Sequence, residues 1–274
     1  MMKTKILFSD LDGTLLDDKK NVSRRDLESI NEMIEKGHRF AIATGRPIYS
    51  AKVVAKNLGL YRDGIFLIAS NGGVVFDCGS SSILSAETLD MDTVRDLFIA
   101  AGTEGLSIHT YTDDYVVSVR NTREIDLYCK NILMPHRLLE RIPEDLPARP
   151  PKLIVMSIKE GSRAILEDFE KRHAALVSGR AQSVFSNDFL LEYLPIGVSK
   201  GNAIEKLCAL LGIPVEDAVA AGDEANDIPM LKAVGCAVVM ANGTDETKAF
   251  ADHVTKHTNN ESGISEVIQR FILQ

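Results

Sequence analysis

Two aspartates stand two residues apart in Asp10-Leu11-Asp12-Gly13-Thr14, directly after the apolar run Ile6-Leu7-Phe8. Neighbouring carboxylates repel each other, so keeping both ionised calls for a cation, and a magnesium ion, which demands oxygen ligands, would serve. The same residues could instead cap a plain turn. A second acidic group, Gly222-Asp223-Glu224-Ala225-Asn226-Asp227, follows the apolar run Ala218-Val219-Ala220-Ala221, where a capped helix is the plainer reading. Thr44-Gly45-Arg46 offers a hydroxyl, a glycine that permits close approach and a guanidinium, all suited to an anionic oxygen, although such a loop can be only a turn. Ser199-Lys200-Gly201 precedes a late helix, where Lys200 either reaches an anion or is simply solvated. Ser70-Asn71-Gly72-Gly73 reads equally as a hairpin turn before Val74-Val75-Phe76.

These residues become informative through the elements that would carry them. Ile6-Leu7-Phe8, Phe40-Ala41-Ile42-Ala43 and Phe66-Leu67-Ile68-Ala69 are short runs, apolar throughout, as expected of strands buried on both faces of a parallel sheet. Between them, Leu27, Ile30, Met33 and Ile34 share a helical face with Ser23 as N-cap and Gly37 as stop, and a second helix is predicted from about Ile48 to Leu58, closed by Gly59. The same alternation returns late: a helix over 201–211, a strand over 218–221, a short helix over 228–233 and a strand over 237–240. All four candidate clusters then fall at the carboxyl ends of strands or at a helix start, the edge where open α/β sheets bind ligands. Between the two stretches the texture changes. Strands at Val116–Val119 and Leu153–Ile158, helices near 93–101 and 161–173, and a proline-rich joint at Pro143–Pro151 suggest a separate α+β unit. The expected architecture is a doubly wound parallel-sheet core, Rossmann-like, over 1–83 plus 195–274, with an inserted α+β cap over 84–194.

The formal charge of −8 disfavours nucleic acid and anionic membranes as partners. No run approaches the ~20 apolar residues of a membrane span, and nothing at the start resembles a signal peptide, so a cytoplasmic location is the expectation. Cys78, Cys129, Cys208 and Cys236 lie far apart and read as buried free thiols. The six histidines show no zinc-site spacing, and only His109, beside Tyr111 on an expected cap strand, is a candidate for substrate contact.

Taken together, the four clusters resemble the motifs of the haloacid dehalogenase superfamily, and most closely its Cof-type phosphatases, which carry a large cap between the second and third motifs. The similarity runs from Phe8-Ser9-Asp10 to Gly222-Asp223-x-x-Asn226-Asp227-x-x-Met230-Leu231. It implies that Asp10 is a nucleophile that forms an aspartyl phosphate and that Asp12 is the general acid and base. It further implies Mg2+ held by the Asp10 carboxylate, the Asp12 backbone carbonyl and Asp223, with Asp227 in support. Thr44 and Lys200 would bind phosphoryl oxygens, Gly45 and Asn226 would lie near the phosphate, and Arg46 and Asn71 near the rest of a small phosphorylated metabolite. Sugar phosphates or similar phosphomonoesters are the implied substrates. A phosphosugar mutase and a non-enzymatic phospho-acceptor or binding module are the alternatives, and oligomeric state is not readable.

Overall fold

The computed structural model describes residues 3–274. In chain order the elements are β1 (Ile6–Ser9), α1 (Arg24–Glu35), β2 (Arg39–Ala43), α2 (Ile48–Asn57), β3 (Ile65–Ala69), β4 (Val74–Asp77) and β5 (Ser82–Ala86). Next come α3 (Met91–Thr103), β6 (Ser107–Tyr111), β7 (Val116–Ser118), α4 (Arg123–Ile132), β8 (His136–Leu138), β9 (Leu153–Met156), α5 (Ser162–Val177), β10 (Ala181–Asn187) and β11 (Leu190–Pro195). The chain finishes with α6 (Lys200–Leu211), β12 (Ala218–Gly222), α7 (Ile228–Leu231), β13 (Cys236–Val239), α8 (Asp245–Lys248), β14 (His253–Val254) and α9 (Gly263–Val267).

The chain divides into two compact units. The first comprises residues up to Gly45, Val54–Ser85 and Ser199–Gln274; the second comprises Arg46–Val53 and Ala86–Val198. The second unit therefore begins and ends a few residues later than the 84–194 insert expected from sequence, and it also takes in the start of α2.

An eight-stranded sheet in the order β14-β13-β12-β1-β2-β3-β4-β5 forms the centre of the first unit. From β14 to β3 the pairings are parallel, and β4 turns back antiparallel on β3. The chain winds outward from β1 on one side through β2 and β3, then returns to the other side through β12, which makes β1 the switch point where a crevice opens. Both faces are covered, so β1, β3 and β12 are buried at every position. On one face Ile6, Phe8, Ala41, Ile68 and Ala220 pack with Ile204, Leu207 and Met230 of α6 and α7. α1 starts at its expected cap: the Ser23 side chain accepts from the Asp26 amide.

The second unit holds a six-stranded sheet in the order β10-β11-β9-β6-β7-β8, mostly antiparallel. α3 and α5 cover one face through Val94, Leu97, Leu166 and Phe169. On the other face Ile125, Tyr128 and Ile132 of α4 pack over Tyr111, Ile154 and Met156. β9 is therefore buried at all four positions. Cys78, Cys129 and Cys208 are buried free thiols, whereas Cys236 is only partly buried because it opens β13. Among the described residues, no helix is long and apolar enough to cross a membrane.

Candidate active site

Strand register brings the sequence motifs together. Ser9 pairs with Ala221 on one side and with Ile42 on the other, so the loops that leave β1, β12 and β2 emerge side by side. Asp10 follows β1 directly, and its amide donates to the Ala221 carbonyl at 2.9 Å. Asp223 follows β12, and Thr44 follows β2 with its amide bonded to the Ile68 carbonyl at 2.8 Å.

At this edge Asp10, Asp223 and Asp227 are all buried, and each offers a carboxylate oxygen within 4.8 Å of the others. The carboxylates are held by specific donors. Lys200, the first residue of α6, places its buried ammonium 2.5 Å from Asp10 Oδ1 and 2.6 Å from Asp227 Oδ1. Asp227 Oδ2 accepts from the amides of Asp223 and Glu224 at 3.0 and 3.2 Å. Thr14 Oγ1 donates to Asp223 Oδ1 at 2.6 Å.

Glycines let these parts approach. Gly13 has φ +85°, and a Cβ there would lie 2.3 Å from Asp223 Oδ2. Ser70, Asn71 and Gly72, at φ +52°, +56° and +105°, form a run of left-handed residues at the end of β3. This turn bridges two motifs: the Asn71 amide donates to the Thr44 carbonyl at 3.2 Å, and a Cβ on Gly72 would lie 2.1 Å from the Ser199 carbonyl oxygen. Gly45 likewise packs against Asn71, with a Cβ position only 2.8 Å from Oδ1.

Burial, and then the charge of Asp227, raise the Asp10 carboxyl well above its usual range, against the lowering effect of Lys200. Burial pushes Asp223 up to about 6, with the Thr14 hydrogen bond opposing and the Asp227 charge adding. For Lys200, burial alone would favour the neutral amine, but the Asp10 and Asp227 carboxylates reverse this and raise it. Three buried carboxylates against one ammonium leave excess negative charge in a poorly solvated place, which is costly unless a cation is added. Oxygen donors at this spacing fit a hard metal ion.

The other residues singled out from sequence take varied positions. The Asp12 side chain lies outside the three-carboxylate cluster and accepts from Lys20 Nζ at 2.8 Å. Asn226 Oδ1 is buried with no hydrogen-bond partner among the described residues. Arg46 groups with the second unit. Sequence reasoning did not anticipate Lys20, nor Asn242, whose Nδ2 donates to the Gly13 carbonyl at 2.8 Å and braces the first motif. Spacing along the chain carries no signal for that contact between positions 13 and 242.

A model of haloacid dehalogenase-like hydrolases matches residues 7–268, and the chain belongs to that family. It is an enzyme of the phosphatase type, in keeping with relatives aligned over nearly their whole length. One, the 5-amino-6-(5-phospho-D-ribitylamino)uracil phosphatase YitU of Bacillus subtilis, is 28% identical, with 98% of this chain and 99% of the relative covered. Phosphatase YwpJ of the same organism is 26% identical, with 98% and 100% covered. Among solved structures, a haloacid dehalogenase-like hydrolase from Bacteroides thetaiotaomicron superposes with a TM-score of 0.90 at 29% identity, covering 98% of this chain and 99% of that one.

Proposed function

We propose that the chain is a magnesium-dependent phosphatase that hydrolyses small phosphomonoesters through an aspartyl phosphate on Asp10. The observation that carries this reading is the buried meeting of Asp10, Asp223 and Asp227, with the Lys200 ammonium bridging Asp10 and Asp227. A carboxylate is an adequate nucleophile toward phosphorus, so catalysis is chiefly positioning and charge stabilisation. A bound Mg2+, held by Asp10, Asp223 and the Asp12 carbonyl with Asp227 in support, would screen the repulsion between nucleophile and phosphate.

In the first half-reaction an Asp10 carboxylate oxygen attacks phosphorus, the ester P–O bond breaks, and Asp12 gives its proton to the departing oxygen. In the second, Asp12 takes a proton from water, the water oxygen attacks phosphorus, and the bond to Asp10 breaks to release phosphate. Lys200 and Thr44 bind phosphoryl oxygens, and Lys200 also limits the negative charge gathering beside Asp10. Asn226, in the loop between Asp223 and Asp227, is assigned to the phosphate side of the site, and its buried, unpartnered Oδ1 leaves that side chain's polar group uncommitted to another contact. Several Bacillus subtilis relatives bear the name of a phosphatase for a phosphorylated ribityl compound, which supports phosphorylated sugars or polyols as the substrate class.

The test is phosphate release from a panel of phosphorylated sugars and polyols with and without Mg2+, for the native chain and Asp10→Asn. Activity that needs Mg2+ and vanishes in Asp10→Asn is expected. Substantial turnover by Asp10→Asn would remove that residue from the nucleophilic role, and isomerised sugar phosphate in place of free phosphate would point to a mutase.

A further inference from the structure

The loop after the first motif presents a cation to Asp12. Lys20 Nζ donates to Asp12 Oδ1 at 2.8 Å. The turn that delivers it is built around Asp17, whose Oδ1 accepts from the amides of Lys19 and Asn21 at 2.9 and 2.8 Å. Backbone bonds close it, from Asp17 N to the Asn21 carbonyl and from Lys20 N to the Asp17 carbonyl. Asn259 Nδ2 ties the stem down at the Leu16 carbonyl, 3.0 Å away, and Asn260 Oδ1 accepts from the Asp18 amide at 3.1 Å.

Within this turn Lys20 is left-handed, at φ +63°. Glycine or asparagine would be at ease there, and a lysine is not. Stability does not account for the choice. The pair is exposed, 57% for Lys20 and 38% for Asp12, and exposed ion pairs add little to folding, whereas the left-handed lysine detracts from it. A strained residue fixed by its surroundings beside a reactive group fits a functional device better than a stabilising one.

We propose that Lys20 is a positioning residue for Asp12, holding one carboxylate oxygen so that the side chain meets the leaving-group oxygen of a bound phosphomonoester. The proposal rests on the reading above, in which Asp12 is the proton donor. In that step the Asp12 O–H bond breaks and the proton goes to the ester oxygen, while that oxygen keeps the electron pair of the opening P–O bond. Negative charge grows on Asp12 as the proton leaves, and a fixed ammonium at hydrogen-bond distance favours that change at the moment it occurs.

The experiment compares single-turnover release of p-nitrophenol and phenol from their phosphates, with Mg2+, in the native chain, Lys20→Met, Lys20→Gly and Lys20→Arg. p-Nitrophenolate departs without proton assistance, and phenolate needs it. Lys20→Met and Lys20→Gly are expected to slow phenol release by roughly tenfold or more while changing p-nitrophenol release less than about twofold, a fraction of the full acid contribution. Lys20→Arg is expected to recover most of the phenol rate, and Lys20→Gly to melt no lower than the native chain because its turn is relaxed. Equal slowing of both esters, or of neither, would overturn the proposal. A native chain inert toward every phosphomonoester would instead remove the phosphatase reading beneath it.

Discussion

Replacing Gly72 by alanine adds one methyl group and removes no functional side chain, yet a large loss of turnover is expected. The new Cβ would sit 2.1 Å from the Ser199 carbonyl oxygen and 3.1 Å from the Lys200 amide, where ordinary contact begins near 3.4 Å. The obstacle is backbone, so no side chain can swing aside: Ser199 and the start of α6 must retreat by about 1.3 Å, or the left-handed turn must distort. Lys200 leaves that same backbone to sit 2.5 Å from Asp10, and Asn71 in the same turn holds the Thr44 carbonyl. A displacement near 1 Å in a positioned site costs on the order of 10²-fold in rate, or about 2.7 kcal/mol of barrier. The strained φ adds about 1–3 kcal/mol of lost stability. Steady-state phosphate release well below the melting temperature, with circular dichroism to confirm folding, separates the two effects. A folded Gly72→Ala variant within about threefold of native kcat would refute the idea that this turn sets the spacing of the phosphate-binding groups.

Two further expectations concern pH. Burial pushes Asp223 up to about 6, so in the metal-free protein it becomes protonated as pH falls through that value, and the proton then competes with a divalent ion. Mg2+ affinity measured by calorimetry should therefore weaken markedly between pH 7.5 and 5.5, with proton uptake by buffer on binding near pH 6; a flat profile would be inconsistent with Asp223 as a ligand. His109 is lowered to about 3 by burial and by the charge of Lys152, so it stays neutral in the folded chain while the unfolded chain binds a proton below about 6.5. It contributes no pH dependence above that value, and stability should fall by up to about 1.4 kcal/mol per unit as pH drops from 6.5 toward 3. Urea unfolding of the native chain and His109→Phe at pH 7 and 5 would read this directly, and equal slopes for the two proteins would count against it.

The parts of the fold that were legible in the sequence are those governed by local pattern. Uniformly apolar runs such as Phe66-Leu67-Ile68-Ala69 could only be doubly covered strands, and Ser23 announced α1 through its capping chemistry. Once β1 and β12 were both strands of one sheet, Asp10 and Asp223 had to emerge at the same edge. α4 went unassigned, although Thr122 caps it, acidic residues open it and Ile125, Tyr128, Cys129 and Ile132 make its buried face. The β10–β11 hairpin was missed because its core-facing residues include Glu192, whose partner Lys152 lies 40 residues away. Within the site, the left-handed run Ser70-Asn71-Gly72 and the reach of Lys20 to Asp12 depend on backbone conformations that composition does not encode. Nor does spacing indicate that the start of α2 groups with the second unit.

The most direct measurement of the central claim is chemical trapping of the intermediate. The chain would be mixed with a turned-over phosphomonoester and Mg2+, quenched in acid within the first turnover, and reduced with borohydride, which converts an aspartyl phosphate to homoserine. Peptide mass spectrometry should then find the reduced residue at position 10 and nowhere else. Absence of any reduced residue during active turnover, or its appearance at a different aspartate, would contradict phosphoryl transfer to Asp10.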